Sequence, residues 1–364
     1  MTTDSDRTEN PNALTVISVD GMGGDGGLDA ITGGMEKSAD KNPNISFILH
    51  GDSKAFEPLL AKIPNLAGRV DLRHTDKVIH MTEKPAHAMR RGKDSSMWNA
   101  LESVEKGEAT VAVSCGNTGA LMAISMIRLR KLPGIKRPAI AVLWPSHNPQ
   151  KHNVLLDMGA DIKADAEDLL QYAIMGASYA RNGLGVNRPR IGLLNVGTED
   201  HKGKPELKEA AALIKAAEDV GGFQYVGFVE GSDMSSDKLD IIVTDGFTGN
   251  IALKAGEGTA KLIRGFLKEA FTQTPLARLA AVFAMASLKR LSKRIDPNQS
   301  NGGVFLGLNG TVVKSHGAAN ATGVSAAIKL AFKLAESGFS EKVAARVASN
   351  LAESKNAKPE VDEA

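Results

Sequence analysis

Short β-branched apolar runs alternate with longer Ala- and Leu-rich stretches along most of the 364 residues. The runs at 14–19, 45–49, 70–73, 110–114, 140–143, 153–157, 190–195, 224–229 and 240–244 predict strands, and 310–313 predicts another ahead of a Gly-flanked loop. Between them, 166–182 and 205–220 repeat apolar positions with helical period. This alternation predicts a parallel sheet wrapped by helices, in one α/β/α unit with inserted elements. The expected organisation is a flexible tail over 1–13, a single domain over 14–352, and a charged, Pro-containing tail over 353–364.

Several predicted strands end in the same punctuation. The first runs into Gly21-Met22-Gly23-Gly24-Asp25, another into Cys115-Gly116-Asn117-Thr118-Gly119, a third into Val196-Gly197-Thr198, and a fourth into Asp245-Gly246-Phe247-Thr248-Gly249-Asn250. In an open parallel sheet, loops at the carboxyl ends of strands converge on the ligand crevice. Glycine lets backbone amides approach an anion, and the following helix presents its positive end. The four turns are therefore expected to share one site for a ligand bearing phosphate or carbonyl groups.

Gly21, Gly23 and Gly26 match the dinucleotide fingerprint G-x-G-x-x-G, with Asp52 available as a ribose ligand. Asp20 and Asp25 bracket those glycines, and carboxylates beside a pyrophosphate are unfavourable. A purely structural tight turn accounts better for the same residues. Lys93, Ser95 and Ser96 stand before a helical stretch over 97–105; they suit a phosphate pocket or a capped surface helix. Ser114 to Gly119, followed by an apolar helix over 120–128, is the strongest anion-hole candidate, with Gly116, Thr118 and Gly119 amides and the Asn117 side chain as donors. Cys115 reads as packing rather than a nucleophile, because phosphate itself can attack a thioester. His316, in Lys314-Ser315-His316-Gly317, is either a hydrogen-bond donor to substrate or a satisfied structural histidine.

Pro275–Ile295 carries a different signal. Leu276, Leu279, Ala280, Phe283 and Leu291 form a helical stripe that Val282, Met285 and Leu288 widen, and every charge is positive: Arg278, Lys289, Arg290, Lys293 and Arg294. Such a helix lies on anionic lipid, docks an acidic protein, or packs into the fold or a dimer.

A net charge of +2 argues against a dedicated nucleic-acid protein. The lone Cys115 excludes an internal disulfide and fits a reducing cytoplasmic setting. The eight histidines show no H-x-x-x-H or H-E-x-x-H pair, so no metal site is expected. The polar N-terminus is no signal peptide, and no apolar run is long enough to span a membrane.

Read together, the motifs resemble those of the bacterial acyl-acyl carrier protein:phosphate acyltransferases (PlsX). The matching segments are Val19 to Asp25, Lys93 to Ser96, Gly116 to Met122, Leu132 to Pro138, Leu155 to Ala160, Thr244 to Asn250 and Lys314 to Gly317. Gly21 and Cys115 stand where that family usually has Ala. The resemblance implies a three-layer α/β/α sandwich with a mostly parallel sheet, like isocitrate and isopropylmalate dehydrogenases and phosphate acetyltransferase, in a homodimer. It implies acyl transfer from acyl carrier protein to inorganic phosphate without a cofactor, feeding a membrane glycerol-3-phosphate acyltransferase from the cytoplasm. The expected catalytic residues are Lys93, Asn117, Asp245 and His316. Asp20, Gly23, Gly24, Asp25, Ser95, Ser96, Gly116, Thr118, Gly119, Gly246 and Asn250 are expected to bind substrate. Leu279, Phe283, Lys289, Arg290, Lys293 and Arg294 are expected to meet an anionic membrane surface or the carrier protein. Two other activities fit the residues less well: a coenzyme A-dependent phosphate acetyl- or butyryltransferase, and a nicotinamide-dependent dehydrogenase. A non-catalytic membrane adaptor leaves the Gly-rich turns without a ligand.

Overall fold

The computed structural model describes residues 14–295, 302–345 and 349. The expected tails at 1–13 and 353–364 lie outside the described residues, as do the side chains of Lys293 and Arg294. In chain order the elements are β1 Thr15–Asp20, α1 Gly27–Ala39, β2 Ile45–Gly51, α2 Ser53–Leu60, β3 Val70–His74, α3 Pro85–Arg91, α4 Ser96–Glu105, β4 Val111–Ser114, α5 Thr118–Arg128, β5 Ala139–Pro145 and β6 His152–Leu156. They continue with α6 Ala166–Leu184, β7 Arg190–Leu194, α7 Pro205–Ala216, α8 Glu218–Gly221, β8 Gln224–Val229, β9 Ile241–Val243, α9 Gly246–Thr272, α10 Pro275–Ile295, β10 Gly303–Leu306, β11 Thr311–Lys314 and α11 Ala321–Glu336.

Among the described residues the strands form one sheet in the order β3-β2-β1-β4-β11-β10-β5-β6-β9-β7-β8. Strand alternation sorts side chains to its two faces. Val111, Val113, Val154, Leu156, Ile241 and Val243 face a core built with α1, α6, α7 and α11. Ala112, Leu155 and Ile242 face a second core shared with α4 and α5. The three-layer α/β/α sandwich follows from these two apolar faces.

Most neighbouring strands are parallel, but β10 runs antiparallel to both β11 and β5, and β5 runs antiparallel to β6. Consequently β1, β4 and β11 point one way, while β6, β9 and β7 point the other. The Gly-rich turns therefore do not share one crevice within a chain: those after β1 and β4 leave one edge of the sheet, and those after β7 and β9 leave the opposite edge. The reason is chain length. Residues 146–151 between β5 and β6, and 307–310 between β10 and β11, are too few for a parallel crossover, which needs a dozen or more.

Helix α9 begins at the second edge and runs back along the sheet toward the first. Its Gly256 passes so close to Trp144 that a Cβ there would lie 2.1 Å from the indole. Farther along, α9 packs against α10. Ala277, Ala281, Ala284 and Leu288 of α10 are partly covered at helical spacing, whereas Leu276, Leu279, Val282 and Phe283 are exposed, Phe283 by 84%. The two helices form a hairpin with apolar residues on its outside, including Leu262 and Phe266 of α9.

Candidate active site

Three turns meet at the carboxyl ends of β1, β4 and β11. Asp25 N–H donates to the Gly317 carbonyl at 2.7 Å, and Ser315 N–H donates to the Ser114 carbonyl at 2.8 Å. Gly24 sits at the junction with φ +88°; a Cβ there would lie 2.7 Å from the Gly317 oxygen and 2.8 Å from the Cys115 side chain. Only glycine serves at such a position.

Under the turns lies Asp20, fully buried. Ser96 Oγ and Ser114 Oγ each donate to its carboxylate at 2.6 Å. Burial raises its pKa, against bonds from Ser114, Ser96 and the N–H groups of Met22 and Gly23. Asp20 is thus a brace that joins β1, β4 and α4, and it is closed to substrate. Ser114 Oγ also accepts from Gly116 N–H at 3.0 Å, and Ser95 Oγ caps α4 by accepting from Trp98 N–H at 3.2 Å. Ser95, expected to bind phosphate, caps α4, and Ser96, expected to bind phosphate, donates its hydroxyl proton to Asp20.

Asn117 caps α5: its Oδ1 accepts from Ala120 N–H at 3.0 Å. Its amide nitrogen donates to the carbonyls of Met81 at 2.7 Å and Glu83 at 3.0 Å. Both amide protons are committed to that loop, so the expected side-chain oxyanion donor is a positioning residue. The Thr118 and Gly119 N–H groups open the helix, where no preceding turn supplies a carbonyl. Among the described residues, nothing brings the exposed Lys93 into the cluster.

The cluster's cation is a different lysine. Lys314, at the end of β11, is only 9% exposed, and its Nζ donates to the Cys115 carbonyl at 3.3 Å and to the Ser315 carbonyl. Burial lowers its pKa to about 8. Burial pushes the neighbouring Cys115 thiol up, opposed by a bond with Ser315 and by the Lys314 charge; a protonated, buried thiol is a poor nucleophile. His316 is half-exposed. Its Nδ1 accepts from Ala318 N–H at 3.1 Å, which leaves the proton of the neutral ring on Nε2, 3.9 Å from a Glu257 carboxylate oxygen. Burial lowers its pKa, partly offset by Glu257. Glu257 also pairs with Lys254 at 2.9 Å, so α9 closes one side of the site.

The opposite edge holds Asp245, Gly246 and Asn250. Asp245 caps α9, accepting from Thr248 N–H at 2.8 Å. Gly246 N–H donates to the Asp161 carbonyl at 2.8 Å, which locks this turn onto the one after β6. There Asp157 accepts from the N–H groups of Ile140 at 2.7 Å and Asp161 at 2.8 Å, and burial lifts its pKa to about 6. Arg137 donates to Asp161 at 2.5 Å. Within one chain, Asp245 and Asn250 are not brought together with Asn117 and His316.

The comparisons with known proteins bear on this arrangement at two levels. The family model described as "Fatty acid synthesis protein" matches residues 15–342. A phosphate acyltransferase of Paracoccus denitrificans is 65% identical over 337 residues, covering 93% of this chain and 91% of that protein. One from Dinoroseobacter shibae is 66% identical, covering 92% and 87%. The chain belongs to the phosphate acyltransferase family.

Solved structures give the fold alone. A phosphotransacetylase from Streptococcus pyogenes aligns with a TM-score of 0.60 at 15% identity, over 90% of this chain and 96% of that one. A 4-hydroxythreonine-4-phosphate dehydrogenase from Klebsiella pneumoniae aligns with a TM-score of 0.52 at 12% identity, over 89% and 100%. The same sandwich therefore carries both acyl transfer and oxidoreduction, and the fold does not choose between them. Membership of the phosphate acyltransferases does. The dinucleotide-like glycines here surround a sealed carboxylate, and Asp52 caps α2 by accepting from Lys54 N–H at 3.0 Å. Of the expected site residues, Ser95 caps α4, Ser96 and Ser114 hold Asp20, and Lys93 is exposed. Lys314 stands in the Lys314–Gly317 motif, and its position at the end of β11, opposite Ser114 in register, buries it.

Proposed function

We propose that the chain transfers a long-chain acyl group from acyl carrier protein to inorganic phosphate, forming an acyl phosphate. The observation that carries this reading is the three-turn cluster: a helix N-terminus with open N–H groups, a half-exposed neutral histidine, and a buried lysine, in a family member with relatives named phosphate acyltransferase. A phosphate oxygen attacks the thioester carbon. The Thr118 and Gly119 N–H groups stabilise the oxyanion as the tetrahedral intermediate forms. The C–S bond then breaks, and the carrier thiolate leaves and takes a proton from solvent, while the neutral His316 offers its Nε2–H as a hydrogen-bond donor. Positioning and charge stabilisation supply most of the rate.

The acyl phosphate feeds a membrane glycerol-3-phosphate acyltransferase, and the protein works in the cytoplasm as a homodimer that visits anionic membranes. No helix among the described residues is long and apolar enough to cross a membrane. The α9–α10 hairpin supports interfacial binding, with Leu279 55% and Phe283 84% exposed beside Lys289 and Arg290. Coulomb attraction contributes about 1 kcal/mol per basic residue near an anionic surface. Replacing Leu279 and Phe283 with Glu should leave a folded, active protein that no longer co-sediments with anionic liposomes. Precipitation or dissociation of that variant, with a wild type that never binds liposomes, means the stripe packs against protein.

The carrier is tested by comparing donors: palmitoyl-acyl carrier protein should give a higher kcat/KM than palmitoyl- or acetyl-coenzyme A. A preference for acetyl-coenzyme A contradicts the proposal.

A further inference from the structure

We propose that Lys314 is the phosphate-binding cation of this site, its ammonium facing the anion beside the open Thr118 and Gly119 N–H groups of α5. The inference rests on the acyl-transfer reading and adds the group that holds the acceptor.

A lysine that is nine-tenths buried ordinarily has a carboxylate partner. Among the described residues, the ion pairs do not include Lys314; Asp20 and Asp25 act on it only through space. Its hydrogen bonds go instead to two backbone carbonyls, those of Cys115 and Ser315. An ammonium has three donors, so one is left over. The Cys115 carbonyl belongs to the turn that leads directly into α5, which places the charge next to the helix's positive end. The carboxylate under these turns, Asp20, is already taken up by Ser96, Ser114 and the N–H groups of Met22 and Gly23, so it does not balance the two positive features. A dianion such as inorganic phosphate resolves that imbalance, and an exposed lysine such as Lys93 would not.

The neighbours limit what else can respond to pH. Cys115 on the β4 turn is held protonated, Asp20 and Asp25 come from the β1 turn, Lys254 and Glu257 from α9, and His316 from the β11 turn. Lys314 loses its charge in the mildly alkaline range, from about 8 upward. Phosphate is already a dianion there, so its affinity should fall as the pH rises, and bound phosphate should hold the proton on Lys314 longer.

The test uses the full chain. In wild type, KM for phosphate at saturating palmitoyl-acyl carrier protein should climb above about pH 8, by up to roughly tenfold per unit, while KM for the donor stays level. Lys314→Gln keeps a donor for the carbonyls and removes the charge. It should raise KM for phosphate at least about thirtyfold, roughly 2 kcal/mol, abolish its alkaline rise, and change KM for the donor by less than about threefold. Thermal protection by inorganic phosphate, against chloride at equal ionic strength, provides a readout without turnover: wild type should be protected and Lys314→Gln should not. If wild type is protected but makes no acyl phosphate, the acyl-transfer reading fails and the phosphate site stands. A phosphate KM in wild type that is flat across the alkaline range overturns the proposal. So does phosphate protection that survives in Lys314→Gln.

Discussion

Asp20→Ala should abolish measurable turnover and lower stability by about 3 kcal/mol or more, although Asp20 never meets substrate. Its carboxylate accepts from Ser96 Oγ and Ser114 Oγ, both at 2.6 Å, and from backbone N–H groups of the first turn. Removing it leaves several buried donors unsatisfied, each costing about 1–3 kcal/mol. It also frees the β1 turn, the β4 turn and the start of α4 from one another, so the N–H groups proposed to hold the oxyanion lose their aim. Misplacement of that kind by about 1 Å costs on the order of a hundredfold in rate. Chemical denaturation and steady-state turnover on the same preparation measure both effects. A variant with wild-type stability and at least a tenth of the activity would remove the brace from the account.

Asn117→Ala should lower kcat at least tenfold, about 1.4 kcal/mol, and cost roughly 1 kcal/mol of stability through the lost helix cap. The geometry gives a reason other than direct catalysis. Asn117 caps α5 and simultaneously holds the 81–83 segment by the Met81 and Glu83 carbonyls. Asn117→Ser separates the two functions, because serine caps a helix but cannot span to the loop. Stability should recover largely while kcat stays low. Full recovery of turnover in the serine variant would assign the whole effect to the cap. An alanine variant with unchanged kcat would dismiss the loop tie altogether.

Much of the architecture was legible because strand and helix periods are read one residue at a time. The predicted strands at 45–49, 190–195 and 224–229 fall on β2, β7 and β8 within a residue or two. The four-residue β10 escaped notice because Gly303–Leu306 is a short apolar run with nothing periodic in it. That omission hid the reversal of the sheet, which the short 146–151 connection already required. Helix α9 was equally hard to see: it holds five glycines, and intrinsic propensity speaks against each. Packing overrides propensity there, since Gly256 must clear the Trp144 ring.

The candidate site was legible as turns and illegible as side chains. A motif reports where glycine and small polar residues cluster, and so the β1, β4 and β11 turns were found. Which hydroxyl is consumed by a cap, and which lysine points inward, depends on neighbours distant in sequence. Ser96 lies 76 positions from the carboxylate it serves, and Lys314 lies 199 from the carbonyl it reaches. Lys93 looked like the cation because two serines follow it, yet it is exposed.

The central claim is chemical, and one measurement addresses it most directly. Purified protein is incubated with palmitoyl-acyl carrier protein and inorganic phosphate, without added metal or nicotinamide, while free carrier thiol and acyl phosphate are followed together. The account predicts that both appear in equal amounts, that the rate saturates with phosphate, and that no thiol is released when phosphate is left out. Thiol release that is independent of phosphate, or turnover only when a nicotinamide cofactor is supplied, would contradict it.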